Sequence, residues 1–160
     1  MKRKKLSHYD KAGKATMVDV SAKAATVRQA RAHAFVKMKP RVVRSIRSLK
    51  TPKGDPLTVA RLAGIAAAKR TDELIPLCHS VPLSHIDVQV ELCQNGVRLT
   101  SSVRSTGPTG VEMEALTAVA VGALTVYDMC KALDRGIELR ELYLLEKTGG
   151  KSGTYRRRRR

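Results

Sequence analysis

The chain has 160 residues, of which 42% are hydrophobic, enough for one domain around a single apolar core. Its 31 basic and 14 acidic residues give a formal net charge of +17, but residues 2–5 and 156–160 carry nine of these charges and leave +8 for the rest. The absence of Trp and the single Phe argue against a surface of stacked aromatic rings for single-stranded nucleic acid. The remaining charge favours an anionic ligand.

Runs of like charge at chain ends are usually solvated and without fixed structure. We therefore predict a disordered basic N-terminus over residues 1–6, a single domain over residues 7–153 and a disordered arginine-rich tail over residues 154–160. The three cysteines, an odd number, predict reduced thiols. Because no segment reads as a signal peptide or a membrane span, we expect a cytoplasmic protein without a membrane partner.

The first half of the chain predicts a strand and two helices. Apolar and polar residues alternate over residues 30–38, which is typical of a half-buried strand. A short helix is predicted over residues 41–49. A longer helix follows over residues 56–72, because Asp55 is a favourable N-cap and Pro56 suits the first helical position.

The second half predicts a hairpin, a second long helix and a last strand. Alternating residues 86–92 and 97–103 flank Asn95 and Gly96, a pair that strongly favours a hairpin turn. The last strand covers residues 137–145. Strands and helices in this order, with at least one antiparallel pair, predict an α+β fold rather than a doubly wound α/β fold.

The second long helix is predicted from Thr109 to Leu133. Thr109 as N-cap and Glu112 three residues later form a capping box, and Gly136 stops the helix. Both long helices carry small residues that permit close backbone approach, either at a subunit interface or in the core of one chain. These are Ala60, Ala63, Gly64, Ala67 and Ala68 on the first helix and Ala115, Ala118 and Gly122 on the second.

The glycine-rich segment TGGKSG, residues 148–153, imitates the end of a phosphate-binding loop. The full motif requires glycine where this chain has Leu145, and it requires a helix after the loop, so a P-loop NTPase is rejected. The segment is either a flexible tail or an anion-binding loop that uses backbone N–H groups and Lys151.

Cys78 and His79 lie in the segment IPLCHSVPLSH, which its two prolines make a rigid loop. Adjacent residues rarely bind one tetrahedral ion, and no CxxC or HxxxH accompanies them, so we predict no metal site. Two interpretations stay open: Cys78 is buried in the core, or His79 titrates or forms a hydrogen bond beside a ligand.

Lys53 precedes the N-cap of the first long helix, where helix N–H groups and a lysine together can hold phosphate. An isolated surface lysine is the alternative. Arg28, Lys69 and Arg70 are further cationic candidates, although a charged helix end explains the last two almost equally well.

Charged residues mark both ends of the second long helix. Glu112 has a role in the capping box, whereas Glu114 has none. Asp128 and Lys131 form either an intrahelical ion pair or an acid/base couple whose members shift each other's pKa. Fourteen residues separate Glu114 from Asp128, which is about 21 Å along a helix. One active site that used both would therefore take them from different subunits.

Four segments carry a specific pattern: MVDVSAK at 17–23, KGDPLTVARLAGIAAAKRTDELIPLCH at 53–79, TGPTGVEMEALTAVAVGALTVYDMCKA at 106–132 and LLEKTGGKSG at 144–153. Together they closely resemble the cyclic pyranopterin monophosphate synthase family of molybdenum cofactor biosynthesis, and the likeness runs over residues 7–153. The resemblance implies a ferredoxin-like α+β fold with an antiparallel sheet packed against long helices. It also implies a homohexamer, a trimer of dimers, with active sites between subunits.

The implied reaction converts a cyclised dihydro-GTP (3',8-cyclo-7,8-dihydro-GTP) to cyclic pyranopterin monophosphate. Such a lyase releases pyrophosphate by general acid/base catalysis and has no cofactor, with Mg²⁺ on the triphosphate left open. Family motifs assign catalysis to Asp128, Lys131 and Lys53. The substrate contacts are Leu77, Cys78, His79, Glu112, Met113 and Glu114, and Arg28 and Lys69 are assigned to the triphosphate or to base catalysis.

The chain departs from the family pattern in two places. Ser80 stands where the family usually has proline, which we expect to loosen that loop, and the C-terminal arginine run is not part of the pattern. The competing hypotheses are a basic nucleic-acid-binding protein and a purely structural oligomer. The first lacks aromatic stacking residues and any DNA-reading motif. In the second, Asp128 would serve no reaction.

Overall fold

Within residues 12–158, which the computed structural model describes, the chain forms five strands and four helices. The strands are β1 (Thr26–Lys37), β2 (Leu83–Cys93), β3 (Gly96–Gly107), β4 (Glu138–Thr148) and β5 (Tyr155–Arg156). The helices are α1 (Pro40–Arg47), α2 (Pro56–Ala68), α3 (Thr71–Leu74) and α4 (Glu112–Cys130).

The strands form one sheet in the order β2-β3-β1-β4-β5, and every neighbouring pair is antiparallel. β2 and β3 are the predicted hairpin around Asn95. The long helices α2 and α4 pack against each other and against the sheet. The prediction of an α+β, ferredoxin-like fold is therefore confirmed.

The core lies between α4 and one face of the sheet. On β1, the side chains of Ala30, Ala32, Ala34 and Val36 are almost completely buried. Because side chains alternate along a strand, His33 and its neighbours of the same parity point to the opposite face. Small residues thus dominate the helix-facing side of β1 and allow the helix to approach the sheet closely.

The predicted small residues bring α2 and α4 together in antiparallel orientation. A Cβ atom added to Gly64 of α2 would lie 2.8 Å from the carbonyl oxygen of Ala118 on α4. One added to Gly122 of α4 would lie 3.2 Å from the carbonyl oxygen of Ala60 on α2. Only glycine permits backbones to come this close. The small-residue stripes therefore serve packing within one chain.

The start of α2 agrees with the sequence, and its end does not. The Asp55 side chain caps the helix by accepting a hydrogen bond from the backbone N–H of Leu57 at 2.9 Å. The helix ends at Ala68, four residues earlier than predicted, and α3 follows. The buried Thr71 hydroxyl donates to the carbonyl oxygens of Ala67 and Ala68, which satisfies acceptors left free by the end of the helix.

The start of α4 contradicts the predicted capping box. The helix begins at Glu112, its N-cap is Val111, and no side chain caps it, so Thr109 lies outside the helix. Val111 is almost fully buried. Burial of this apolar side chain fixes the start of the helix where the local pattern predicted a polar cap. α4 also ends at Cys130, three residues earlier than predicted.

β5 contradicts the predicted disorder of the tail 154–160 at residues 155–157, and residues 159 and 160 lie outside the described part of the chain. Two residues of this segment pair with the end of β4, and the backbone N–H of Arg157 donates to the carbonyl oxygen of Leu145 at 2.8 Å. Backbone hydrogen bonds to a sheet edge thus order residues 155–157 despite the neighbouring charge. The predicted disorder over residues 1–6 lies outside the described residues.

α4 has the length and hydropathy of a membrane span, and no other helix of the described chain does. More than half of its apolar window is buried inside the fold. Core helices of globular proteins commonly reach the same values. α4 is such a core helix, because its buried residues contact the sheet.

Candidate active site

Asp128 contacts two lysines at the C-terminal end of α4. Lys53 Nζ lies 2.6 Å from Asp128 Oδ2, and Lys131 Nζ lies 2.6 Å from Asp128 Oδ1. About half of each side chain is exposed. We call these three residues the aspartate cluster. The intrahelical ion pair suggested by the spacing is present, and Lys53 is a third member that local spacing does not reveal.

Hydrogen bonds determine the charges of the aspartate cluster. Those from Lys131 and then Lys53 lower the pKa of Asp128 to about 2, and Asp128 in turn raises the pKa of Lys131. At neutral pH the cluster therefore presents one carboxylate and two ammonium groups. The ammonium groups can donate protons and stabilise negative charge, while the carboxylate orients them and can accept a proton.

The antiparallel helix pair explains why Lys53 reaches Asp128. α2 begins beside the end of α4, and Lys53 stands two residues before the Asp55 cap. Its ammonium group is bound to the Asp128 carboxylate. Lys53 is therefore not an isolated surface lysine. A phosphate site at the start of the helix stays a prediction.

A cavity of about 390 Å³ lies at the other end of α4. All six substrate contacts inferred from the family resemblance line it, namely Leu77, Cys78, His79, Glu112, Met113 and Glu114. We call it the glutamate pocket. Three separate segments build it: the loop after α3, the first turn of α4 and the chain before β1.

Burial sets the acid–base properties of the glutamate pocket. Glu114 is 5% exposed, and burial, followed by the charges of Glu112 and Asp72, raises its pKa against an opposing backbone hydrogen bond. Burial and the Glu114 charge also raise the pKa of the Cys78 thiol. A thiol with a raised pKa is a poor nucleophile, so Cys78 is not suited to attack a substrate. Its role as a substrate contact stays a prediction. Glu114 is the group that can hold or accept a proton here.

A hydrogen bond orients the His79 ring. Its Nε2 atom lies 2.6 Å from the carbonyl oxygen of Val18. A carbonyl only accepts, so Nε2 carries a proton and donates it to Val18. In the same loop, the Ser80 hydroxyl donates to the Asp72 carboxylate. This bond links the loop to α3 and counters the loosening expected from serine at this position.

A second cavity of about 750 Å³ adjoins the glutamate pocket and shares Lys23 and Glu112 with it. Lys147 and Lys151 also line it, and we call it the lysine cavity. The position of Lys151 supports the interpretation of TGGKSG as an anion-binding loop. Sequence reasoning missed Lys23 and Lys147, because only the folded sheet brings these distant segments together.

Arg28 crosses the glycine pair at the edge of the lysine cavity. Its guanidinium donates to the carbonyl oxygens of Gly107 and Pro108 at 3.3 and 3.2 Å. A Cβ atom on Gly150 would collide with this guanidinium, and both Gly149 and Gly150 have positive φ, which glycine adopts readily. Arg28 thus connects β1, the end of β3 and the turn after β4. Its predicted role towards the triphosphate or in base catalysis stays a prediction.

The site residues inferred from the sequence form two groups at opposite ends of α4. Glu114 and Asp128 are fourteen positions apart on one continuous helix, about 21 Å, so one chain does not bring them together. Lys69 belongs to neither group. It is exposed at the end of α2 and lines neither the glutamate pocket nor the lysine cavity.

The three cysteines are free. Burial raises the pKa of Cys130 to about 11, which keeps it a thiol. Over residues 12–158, no three His, Cys, Asp or Glu side chains are grouped in a way that suits a metal ion.

Comparison with known proteins assigns the sequence to a family. The MoaC family model matches residues 17–150. The cyclic pyranopterin monophosphate synthase of Methylobacterium sp. (strain 4-46) is 57% identical over 152 residues, which cover 94% of this chain and 95% of that protein. Cyclic pyranopterin monophosphate synthase 1 of Mycobacterium tuberculosis (strain ATCC 25618 / H37Rv) is 52% identical over 153 residues, 95% of this chain and 90% of that protein. With matches over nearly the whole length of both chains, this chain belongs to the MoaC family.

Proposed function

We propose that the protein is a cyclic pyranopterin monophosphate synthase of molybdenum cofactor biosynthesis. It converts the cyclised dihydro-GTP to cyclic pyranopterin monophosphate and releases pyrophosphate. Family membership supports this reaction over the alternative of a basic nucleic-acid-binding protein. The observation that carries the proposal is Asp128 held between two lysines, on the helix whose other end lines the glutamate pocket.

The reaction consists largely of proton transfers, because a purine ring opens, a pterin ring closes and a cyclic phosphate forms. In the proposed mechanism, the ammonium groups of Lys131 and Lys53 donate protons to atoms that become negative. Asp128 holds both amines in position and accepts a proton. A lysine also stabilises the charge that develops on the leaving pyrophosphate.

We assign substrate recognition to the other end of α4. Glu114 and His79 supply a carboxyl and an oriented imidazole for the polar edge of the base. Lys23, Lys147 and Lys151 supply three positive charges for the triphosphate in the adjoining lysine cavity. This division accounts for two connected cavities of different character.

Each end of α4 carries only one half of such a site, either the aspartate cluster or the glutamate pocket with the lysine cavity. We therefore propose that the aspartate cluster of one subunit faces the glutamate pocket and lysine cavity of another, in a hexamer built as a trimer of dimers. Sedimentation equilibrium should give six times the chain mass of 17.5 kDa. A monomer at working concentrations would contradict the shared site.

We also propose that the enzyme acts in the cytoplasm, where its free thiols stay reduced, and that it has no resident cofactor. A Mg²⁺ ion that accompanies the triphosphate is the remaining alternative. Addition of EDTA to the assay distinguishes the two. If Mg²⁺ is required, EDTA should abolish turnover, and an excess of Mg²⁺ should restore it.

Pyrophosphate release from the cyclised dihydro-GTP tests the proposed activity. We expect Asp128→Asn to lower kcat by about 10²–10⁴-fold, the usual contribution of a positioned acid or base. The matched control is Asp87→Asn. Asp87 lies on β2, and its carboxylate contacts Arg61 at 3.8 Å. Equal rates for both variants would refute the catalytic assignment.

Mixed oligomers test the shared site. Glu114→Ala and Asp128→Ala should each be inactive, and random mixing of the two should rebuild both functional halves in about a quarter of the sites. Mixed assemblies should then recover activity in that proportion. No recovery, with mixing verified by mass spectrometry, would show that each site uses one chain only.

A further inference from the structure

A third cavity lies beside β5, on the face of the sheet opposite to the helices. Its volume is about 630 Å³, within the range of about 300–1,000 Å³ typical of small-molecule sites. Three arginines, Arg98, Arg157 and Arg158, line it together with His33 and Glu141. We call it the arginine cavity. Its described lining has no residue in common with the glutamate pocket or the lysine cavity.

β5 holds Arg157 in this cavity. The backbone N–H of Arg157 donates to the carbonyl oxygen of Leu145 at 2.8 Å. Its guanidinium carbon lies 4.1 Å from the centroid of the Tyr143 ring, and that ring lies 5.0 Å from the ring of His33, centroid to centroid. These contacts fix the guanidinium before any ligand arrives, which lowers the entropic cost of binding.

Positive charge dominates the lining, because three guanidinium groups face the single carboxylate of Glu141. Arg98 also contacts Glu91 at 3.1 Å, outside the cavity lining. Guanidinium groups gathered around one cavity repel one another, and a bound anion would relieve this repulsion. The planar N–H forks of arginine match pairs of phosphate oxygens.

His33 adds a buried polar atom with an unmet hydrogen bond. The residue is 9% exposed, and within the described structure its Nε2 atom has no hydrogen-bond partner. A carboxylate oxygen of Glu141 lies 3.4 Å away, within ion-pair distance but without hydrogen-bond geometry. Burial lowers the pKa of His33 against the opposing effect of Glu141, which favours the neutral ring. A buried polar atom without a partner costs free energy that a ligand can recover.

We propose that the arginine cavity binds a small anion with linked phosphate groups, held by Arg157 and Arg158 and hydrogen-bonded by His33. Inorganic pyrophosphate and the polyphosphate of a nucleotide share this chemistry. The proposal is independent of the proposed function, because it uses none of the residues of the candidate active site.

Histidine ring signals in NMR test the proposal on the full chain. Protein with ¹³C-labelled histidine rings is titrated with inorganic pyrophosphate and, in a second arm, with GTP, at constant ionic strength. His33 reports on the arginine cavity and His79 on the glutamate pocket. The test variant combines Arg157→Gln with Arg158→Gln. The matched control combines Arg44→Gln with Arg47→Gln, which removes the same charge from the exposed side of α1.

We expect saturable shifts of the His33 signal in wild type and control, and binding at least about tenfold weaker in the test variant. The test variant should leave the His79 response unchanged. Tighter binding of pyrophosphate than of GTP would identify the free anion as the ligand, and the reverse order a nucleotide. Equal His33 affinities in all three proteins, or no saturable His33 response to either ligand, would overturn the proposal.

Discussion

The two ends of α4 carry carboxylic acids in opposite surroundings. Asp128 is half-exposed between two ammonium groups, and its pKa falls to about 2. Glu114 is buried beside other carboxylates, and its pKa rises. The same functional group is thus held ionised at one end of the helix and driven towards its protonated form at the other. Environment, rather than residue type, divides the acid–base roles.

The largest expected effect is a loss of catalytic rate when the aspartate cluster is disrupted. Lys53→Ala removes one of the two ammonium groups on Asp128 and should lower kcat by about 10²-fold or more, because this amine donates a proton in the proposed mechanism. The pKa of Asp128 should also rise in this variant, because one of the two hydrogen bonds that lower it is lost. Pyrophosphate release and ¹³C NMR of the carboxyl group measure the two effects.

Lys50→Ala is the control for Lys53→Ala. Lys50 is an exposed lysine in the same loop, outside the aspartate cluster. Its removal should leave both kcat and the pKa of Asp128 at their wild-type values. A similar loss of activity in both variants would mean that loop structure, not the amine, is responsible.

The next effect tests the helix pair that holds the two ends apart. Gly64→Ala places a methyl group 2.8 Å from the carbonyl oxygen of Ala118, so backbone must move. We expect the free energy of unfolding to fall by about 1–3 kcal/mol, as for other overpacked cores. Chemical denaturation measures this, with Ala66→Ser on the exposed side of α2 as the control. Equal stability of the two variants would show that the helices separate without cost.

A smaller effect is the pH dependence of stability that arises from Glu114. Because the pKa of Glu114 is raised in the folded state, this group favours folding below its unfolded pKa, and that contribution is lost as pH rises through the folded value. Glu114→Gln removes the ionisable group, so the variant should have a higher Tm than wild type at pH 7 and a smaller difference at pH 4. Glu73→Gln, at an exposed acid on α3, should not reproduce this trend. A lower Tm for Glu114→Gln at pH 7 would contradict the unfavourable burial of charge.

The smallest effect is the contribution of Asp128 to the stability of the fold. Because the pKa of Asp128 is lowered to about 2, its contribution to stability is complete above the unfolded value and is lost only as pH falls towards 2. Solvent and salt screen these half-exposed ion pairs, so the contribution is small. Asp128→Asn should therefore leave Tm at pH 7 unchanged while it lowers kcat by the factor given above. A drop in Tm as large as that of Gly64→Ala would assign Asp128 a structural role.

Local signals explain what the sequence predicted correctly. The Asp55 cap, the hairpin around Asn95 and the contact between Asp128 and Lys131 all depend on residues within a few positions of one another. Such interactions keep their geometry in any fold that contains the same element. The overall α+β class follows from the order of these elements.

Contacts between distant segments explain the rest. Lys53 meets Asp128 only because α2 and α4 are antiparallel. Burial of Val111, which depends on the whole core, displaced the predicted cap of α4. β5 forms because the edge of β4 offers backbone N–H and C=O groups for hydrogen bonding. These hydrogen bonds overcome the tendency of an arginine run to remain without fixed structure.

The glycine contacts between α2 and α4 have a consequence for control of the enzyme. With backbones this close, the helix pair is a spacer of fixed length, and neither end can travel towards the other within one chain. If each active site contains residues from two chains, association of a second subunit completes the site, and no loop movement is needed. Specific activity should then fall on dilution below the dissociation constant of the assembly, although every chain keeps its fold.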